Sequence, residues 1–110
     1  MSPKTKKGIT FTRKDVTQRV AERLNMPVSN MKAPVDAVFE TLREIMSEDH
    51  RSLRIEIRNF GVFEVKPTKA KPKARNPRTN EIIYVPARRK SHFKPCRLLK
   101  EVLKQPLDSG

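Results

Sequence analysis

The stretch Arg75-Asn76-Pro77-Arg78-Thr79-Asn80 decides how the rest of the chain is read. It separates two runs with the character of extended strand, and its own chemistry is that of a tight turn. Pro77 fixes its φ and keeps Asn76 out of the helical region, while Asn80 tolerates the left-handed backbone that closes such a turn. Arg75 and Arg78 flank a rigid apolar ring. The pattern predicts a long β-ribbon whose tip carries two cations around a wedge, a device suited to a polyanionic partner.

Outward from the tip, residues 66–74 and 80–86 form the two legs of this arm, which occupies about residues 66–87. Ile82, Ile83, Tyr84 and Val85 supply β-propensity to the outgoing leg, and Pro67, Pro72 and Pro86 discourage edge-to-edge pairing with other chains. Between residues 66 and 100 twelve side chains are Lys or Arg, and Glu81 is the only acid. Nearly all of the net charge therefore sits in this third of the chain.

Before the arm the apolar period changes. Residues 52–66 alternate: Leu53, Ile55 and Ile57 are interleaved with Arg54, Glu56 and Arg58, which predicts a strand with an apolar face toward the helices and a charged face outward. Taken alone, Arg54-Glu56-Arg58 is a solvated face. Asn59-Phe60-Gly61 reads as a turn, and Val62, Phe63 and Val65 open the second strand. Further upstream the period is helical. Thr12 caps a first helix over residues 13–24, with Asp15 in its first turn and Val16, Val20, Ala21 and Leu24 as its stripe. A second helix follows Ser29 and runs to about Ser47, with Pro34 placed in its first turn and a broad face of Met31, Val35, Val38, Phe39, Leu42, Ile45 and Met46. After the arm, residues 91–94 return to the body, and Pro95 starts a short last helix ending near Lys104.

The 110 residues make one domain, residues 11–104, between a basic tail at 1–10 and a short tail at 105–110. About a quarter of the residues are Leu, Ile, Val or Phe, above the ~20% below which a charged chain stays disordered. With an arm to support, one copy buries little core, which favours an oligomer. The formal charge of +13, from 25 Lys and Arg against 12 Asp and Glu, calls for a polyanion, nucleic acid first and anionic membrane second. No apolar run approaches the ~18 residues of a membrane span. The basic N-terminus lacks an apolar segment behind it, so it does not read as a secretory signal, and the lone Cys96 fits a reducing cytoplasm.

Catalytic and cofactor chemistry is not indicated. His92 and Cys96 are four apart, but two ligands make no zinc site, and the three glycines are too scattered for a phosphate loop. No small-molecule substrate or metal is expected. A ribosomal-type RNA-binding protein shares the charge and size, yet its stacking aromatics are missing: most of the five Phe and one Tyr fall at core-like positions. A nuclease needs clustered carboxylates, whereas Asp15, Asp36 and Asp49 are scattered.

Four segments together resemble one family: Arg58-Asn59-Phe60-Gly61-Val62-Phe63, Arg75-Asn76-Pro77-Arg78-Thr79, Ala87-Arg88-Arg89-Lys90 and His92-Phe93-Lys94-Pro95. The chain is similar over about residues 11–104 to the bacterial HU and integration host factor family of DNA-bending proteins. Its Arg54-Ile55-Glu56-Ile57-Arg58 strand looks more like that of the integration host factor β-chain than that of HU. Asn59, Ala74, Asn80 and Cys96 stand where the family usually has glycine, and the basic extension before Phe11 is additional.

The resemblance implies an α+β fold: a helical hairpin, a three-stranded antiparallel sheet extended into a β-ribbon arm, a short C-terminal helix, and an intertwined homodimer sharing Phe60, Phe63 and Phe93 in its core. It implies double-stranded DNA as partner, in the cytoplasm within the bacterial nucleoid. Arg75, Asn76, Arg78, Lys73 and Lys71 would follow the minor groove and Pro77 would intercalate. Arg88, Arg89, Lys90, Lys94 and Arg97 would meet phosphates, aided by backbone N–H groups at the N-termini of the first and last helices. Arg54, Glu56 and Arg58 would help read sequence or shape. A ribbon and arginines suit the narrow groove, and proline has no donor to leave unmet between base pairs. Unstacking is offset by the surface that a bent duplex reaches, a trade for which HU and integration host factor are themselves known cases.

Overall fold

The computed structural model describes residues 8–107; most of the basic N-terminal stretch, through residue 7, and the end of the C-terminal tail, 108–110, lie outside the described residues. The chain divides into two compact units, one through Glu48 and one from Asp49.

The first unit is a helical hairpin, α1 (Arg13–Leu24) and α2 (Val28–Ser47). Asp15 closes the start of α1 by accepting hydrogen bonds from the Thr12 backbone N–H (2.7 Å) and hydroxyl (3.0 Å), which hold its carboxyl below the usual carboxylate range. Asn25, at φ 55°, ends the helix in the left-handed conformation. The buried seam consists of Thr17 and Ala21 from α1 with Met31 and Val35 from α2. The expected α1 stripe is therefore rotated by about one residue: Val16 and Leu24 are exposed, and Thr17 is buried with its hydroxyl satisfied by donating to the Arg13 carbonyl at 2.9 Å. Asp36 joins the helices, pairing with Arg13 at 3.3 Å and with Lys32 at 2.9 Å.

Two expectations for α2 need correction. It begins at Val28, capped by Pro27, and does not wait for Ser29. Pro34 consequently falls in the second turn, where its missing N–H leaves the Asn30 carbonyl without its helical donor.

The second unit holds a three-stranded antiparallel sheet in the order β1–β2–β5, formed by β1 (Leu53–Ile57), β2 (Gly61–Pro67) and β5 (Arg89–Pro95). Between β2 and β5 the chain makes a separate two-stranded ribbon of β3 (Lys71–Arg75) and β4 (Ile82–Val85). The arm is thus jointed where one unbroken ribbon was expected. Pro67 and Pro86 offer no N–H to continue the ladder, and a single bridge spans the gap: the Thr68 N–H donates to the Arg88 carbonyl at 2.7 Å, and the Arg88 N–H to the Thr68 hydroxyl at 3.0 Å. A register shift between Lys71 and Ala74 adds a bulge to the incoming leg. The last helix, α3 (Arg97–Leu103), begins two residues later than expected. Pro95 belongs to β5, and Cys96 is the cap, its Sγ accepting the Leu99 N–H at 3.4 Å.

Strand alternation sorts the side chains. Leu53, Ile55 and Ile57 lie opposite Val65, Phe63 and Gly61, and Phe63 lies opposite Phe93. The three phenylalanines cluster, with ring centroids 4.8 Å apart for Phe63–Phe93, 5.2 Å for Phe60–Phe93 and 6.1 Å for Phe60–Phe63. No large side chain among the described residues is fully buried, and Phe60 stays 45% exposed.

The β1–β2 turn depends on Asn59, whose φ of 63° is left-handed. Asn59→Ala is expected to lower unfolding free energy by about 1 kcal/mol in a urea titration, and Asn59→Gly to leave it within about 0.5 kcal/mol, because a β-carbon without a local hydrogen-bonding partner is disfavoured there. Equal losses in both variants would mean that the Asn59 side chain, and not its backbone, supports the turn.

Candidate nucleic-acid interface

The arm tip is closed by its own side chains. The Asn76 N–H donates to the Glu81 carbonyl and the Asn80 N–H to the Asn76 carbonyl, each at 2.7 Å. Asn76 Oδ1 accepts the Arg78 N–H at 2.9 Å, an Asx turn that holds the Pro77 ring between them. Asn80, at φ 64°, completes the reversal in place of a glycine. Arg75 reaches across the base of the loop, donating to the Asn80 carbonyl (3.1 Å) and Oδ1 (3.2 Å). Of the two arginines at the tip, Arg75 is partly engaged in holding the loop. Pro77 and Arg78 are exposed at the end of the ribbon, with Lys71 and Lys73 exposed on the incoming leg.

On the sheet, alternation divides a basic run that looked continuous. Lys90 and Lys94 lie opposite Lys66 and Val62, on the face that carries Arg54, Glu56 and His92. Arg89 falls on the other face, opposite Pro67, where it donates to the His50 carbonyl at 3.2 Å. Arg88 belongs to the joint of the arm and Arg97 to α3, so the five residues expected to meet phosphates come from the joint, β5 and α3. Arg54 and Glu56 are together in β1, with Arg54 Nη2 3.3 Å from Glu56 Oε2; Arg58 lies beyond the strand, in the turn.

The residue that sequence reasoning missed is Glu64. It stands on this basic face between Arg54 and His92, yet its side chain is only 5% exposed. Three cations close around it: Lys66 at 3.4 Å, Lys94 at 3.6 Å and Arg54 at 3.8 Å. Burial pushes the carboxyl pKa up, but the charges of Lys66, Lys94 and Arg54 outweigh it and hold the group below the usual range. Its Oε1 is buried with no hydrogen bond of good geometry, so the cluster is held by charge. The one available signal was its polar position in the Val62-Phe63-Glu64-Val65 alternation.

No three His, Cys, Asp or Glu side chains among the described residues gather as metal ligands, and no described helix is long and apolar enough to cross a membrane.

Comparison with known proteins gives a consistent family. Residues 11–104 match the family model for bacterial DNA-binding proteins. DNA-binding protein HU of Thermotoga maritima is 33% identical over 86% of this chain and 100% of its own length. Integration host factor subunit alpha of Actinobacillus succinogenes is 28% identical over 93% of this chain and 100% of its own. Among solved structures, a cocrystal of Anabaena HU with DNA superposes with a TM-score of 0.73 at 29% identity, covering 87% of this chain and all of that one. With its α+β fold, its phenylalanine turn and its proline-tipped arm, the chain belongs to the bacterial DNA-binding protein family that includes HU and the integration host factor subunits.

Proposed function

We propose that this protein is an architectural component of the bacterial nucleoid, acting as a homodimer that binds and bends double-stranded DNA. The observation that carries the reading is the arm tip: a loop closed by Asn76, Asn80 and Arg75 that leaves Pro77 exposed at its apex. A rigid ring without a donor, presented by a preorganised turn, is suited to entering an opened base step, while Lys71, Lys73 and Arg78 follow the groove. The large exposed apolar residues Phe60, Leu98 and Val102 support a second copy covering this chain's sheet and last helix. Arg88, Lys90, Lys94 and Arg97 then meet the phosphates of the bent duplex. Arg54, Glu56 and Arg58 bias which sequences allow that approach; since the minor-groove code is degenerate, this bias rests on shape and deformability.

The test is fluorescence transfer between the ends of duplexes of about 30 base pairs, a length at which smooth bending costs a few kcal/mol. The native chain is expected to bring the ends together. Pro77→Ala should lose most of the bend and about tenfold in affinity for straight duplex, but less than about threefold for a pre-kinked one, since the kink no longer has to be made. Equal losses on both duplexes would sink the wedge. Binding with no bend by the native chain would sink the architectural role itself.

A further inference from the structure

We propose that Glu64 is a positioning residue for shape readout: buried in β2, it fixes the Arg54 guanidinium so that Arg54 in turn holds Glu56 in place. This rests on the proposed reading that Arg54 and Glu56 discriminate between duplexes.

The geometry forms a relay across two strands. Arg54 lies directly opposite Glu64 in the β1–β2 register, and its Nε is 3.8 Å from Glu64 Oε2. Its Nη2 is 3.3 Å from Glu56 Oε2, so one guanidinium bridges a buried acid and an exposed one. By itself the Arg54–Glu56 pair is weak. Both side chains are more than half exposed, and an exposed pair spends most of its attraction on ordering two long side chains. Glu64 changes this because its own side chain has nowhere to go. Being 5% exposed, it offers a fixed negative point beside the Arg54 Nε, leaving the neighbouring Nη2 for Glu56.

Lys66 and Lys94, at 3.4 and 3.6 Å, supply the counter-charge that lets a carboxylate stay ionised so deep. They meet the opposite oxygen, Oε1, so the Oε2 side remains directed to Arg54. An acid at the centre of a basic face lowers its attraction for any phosphate backbone. That cost is uniform over sequences, whereas an ordered Arg54–Glu56 pair acts only where the groove fits it.

The experiment uses the full chain with 15N-labelled arginine. Two quantities are measured for the native protein and for Glu64→Gln, which keeps the shape and removes the charge. One is the order of the Arg54 Nε–H from side-chain relaxation without DNA; the other is the ratio of affinities for an A-tract duplex and a random one. Glu64→Gln is expected to release Arg54 to the mobility of an exposed arginine. The affinity ratio should fall toward unity by about threefold or more, as for coupled members of one charge network, while binding to the random duplex is kept or tightened. Melting temperature is followed in parallel, since a purely structural role would move it without changing the ratio.

An Arg54 that stays ordered in Glu64→Gln, or a ratio that does not change, overturns the proposal. Should Glu64→Gln fail to fold, Arg54→Lys serves at an exposed position: it keeps the charge, loses the fork, and is expected to flatten the ratio equally. An unchanged ratio there overturns the relay. If the native chain shows no preference between duplexes, the readout role of Arg54 and Glu56 fails first and the positioning role with it. A preference that survives Glu64→Gln removes the positioning role alone.

Discussion

Binding to a random duplex is expected to weaken by about five decades when salt is raised from about 50 to about 200 mM. If Arg88, Arg89, Lys90, Lys94 and Arg97 of each protomer of the proposed dimer all meet phosphates, they give about ten contacts, and a logarithmic slope of about −9 follows from counterion release. The structure identifies two deductions from this count. Arg89 lies on the opposite face of the sheet, donating to the His50 carbonyl, and Lys94 is drawn to Glu64. If neither reaches a phosphate, about six contacts remain and the slope falls to about −5, or about three decades over the same range. Equilibrium titrations at several salt concentrations separate these cases, and Arg89→Gln tells which deduction applies: an unchanged slope means Arg89 makes no phosphate contact. A slope near zero would remove the electrostatic interface altogether.

The second large effect is structural. Gly61→Ala is expected to lower stability by about 3 kcal/mol, the upper end of the usual cost of overpacking. A β-carbon at Gly61 would lie 2.5 Å from the Lys94 carbonyl oxygen and 2.6 Å from the Phe93 ring, contacts shorter than any real β-carbon makes. Neither neighbour can yield easily. Lys94 O belongs to the β2–β5 ladder, and Phe93 is locked between Phe60 and Phe63. The φ of Gly61 is not positive, so closeness alone, and no need for left-handed backbone, requires glycine here. A domain of this size should lose roughly 4–8 °C in melting temperature per kcal/mol, hence about 12–24 °C. Because the Phe cluster is also the surface proposed to be shared by two protomers, the variant should melt at a temperature that depends more steeply on protein concentration. A melting point within a few degrees of the native one would mean that β5 can move away from β2, and that the cluster is not rigid.

Much of this was legible in the chain because it depends on near neighbours. The limits of α1 follow from Thr12, Asp15 and Asn25, all acting within one turn of the residues they stop. The arm tip follows from Asn76, Pro77 and Asn80 for the same reason, and the strand before it from the alternation of Leu53, Ile55 and Ile57. Two element boundaries depart from expectation because local signals compete there. Ser29 looked like a better cap than Pro27, and Pro95 like the start of a helix when it ends a strand.

What the tertiary structure alone decided is how distant residues share a face. Pairing in register carried Arg89 away from Lys90 and brought Lys94, from a strand some thirty residues downstream, to Glu64. It turned Glu64, one acid among many in the sequence, into a buried charge ringed by three cations. Composition and periodicity are local sums and determine which elements form and that the chain seeks a polyanion. Burial and ion pairing depend on contacts between strands, and those exist only once the register is set, since a slip of one residue would send every side chain to the opposite face.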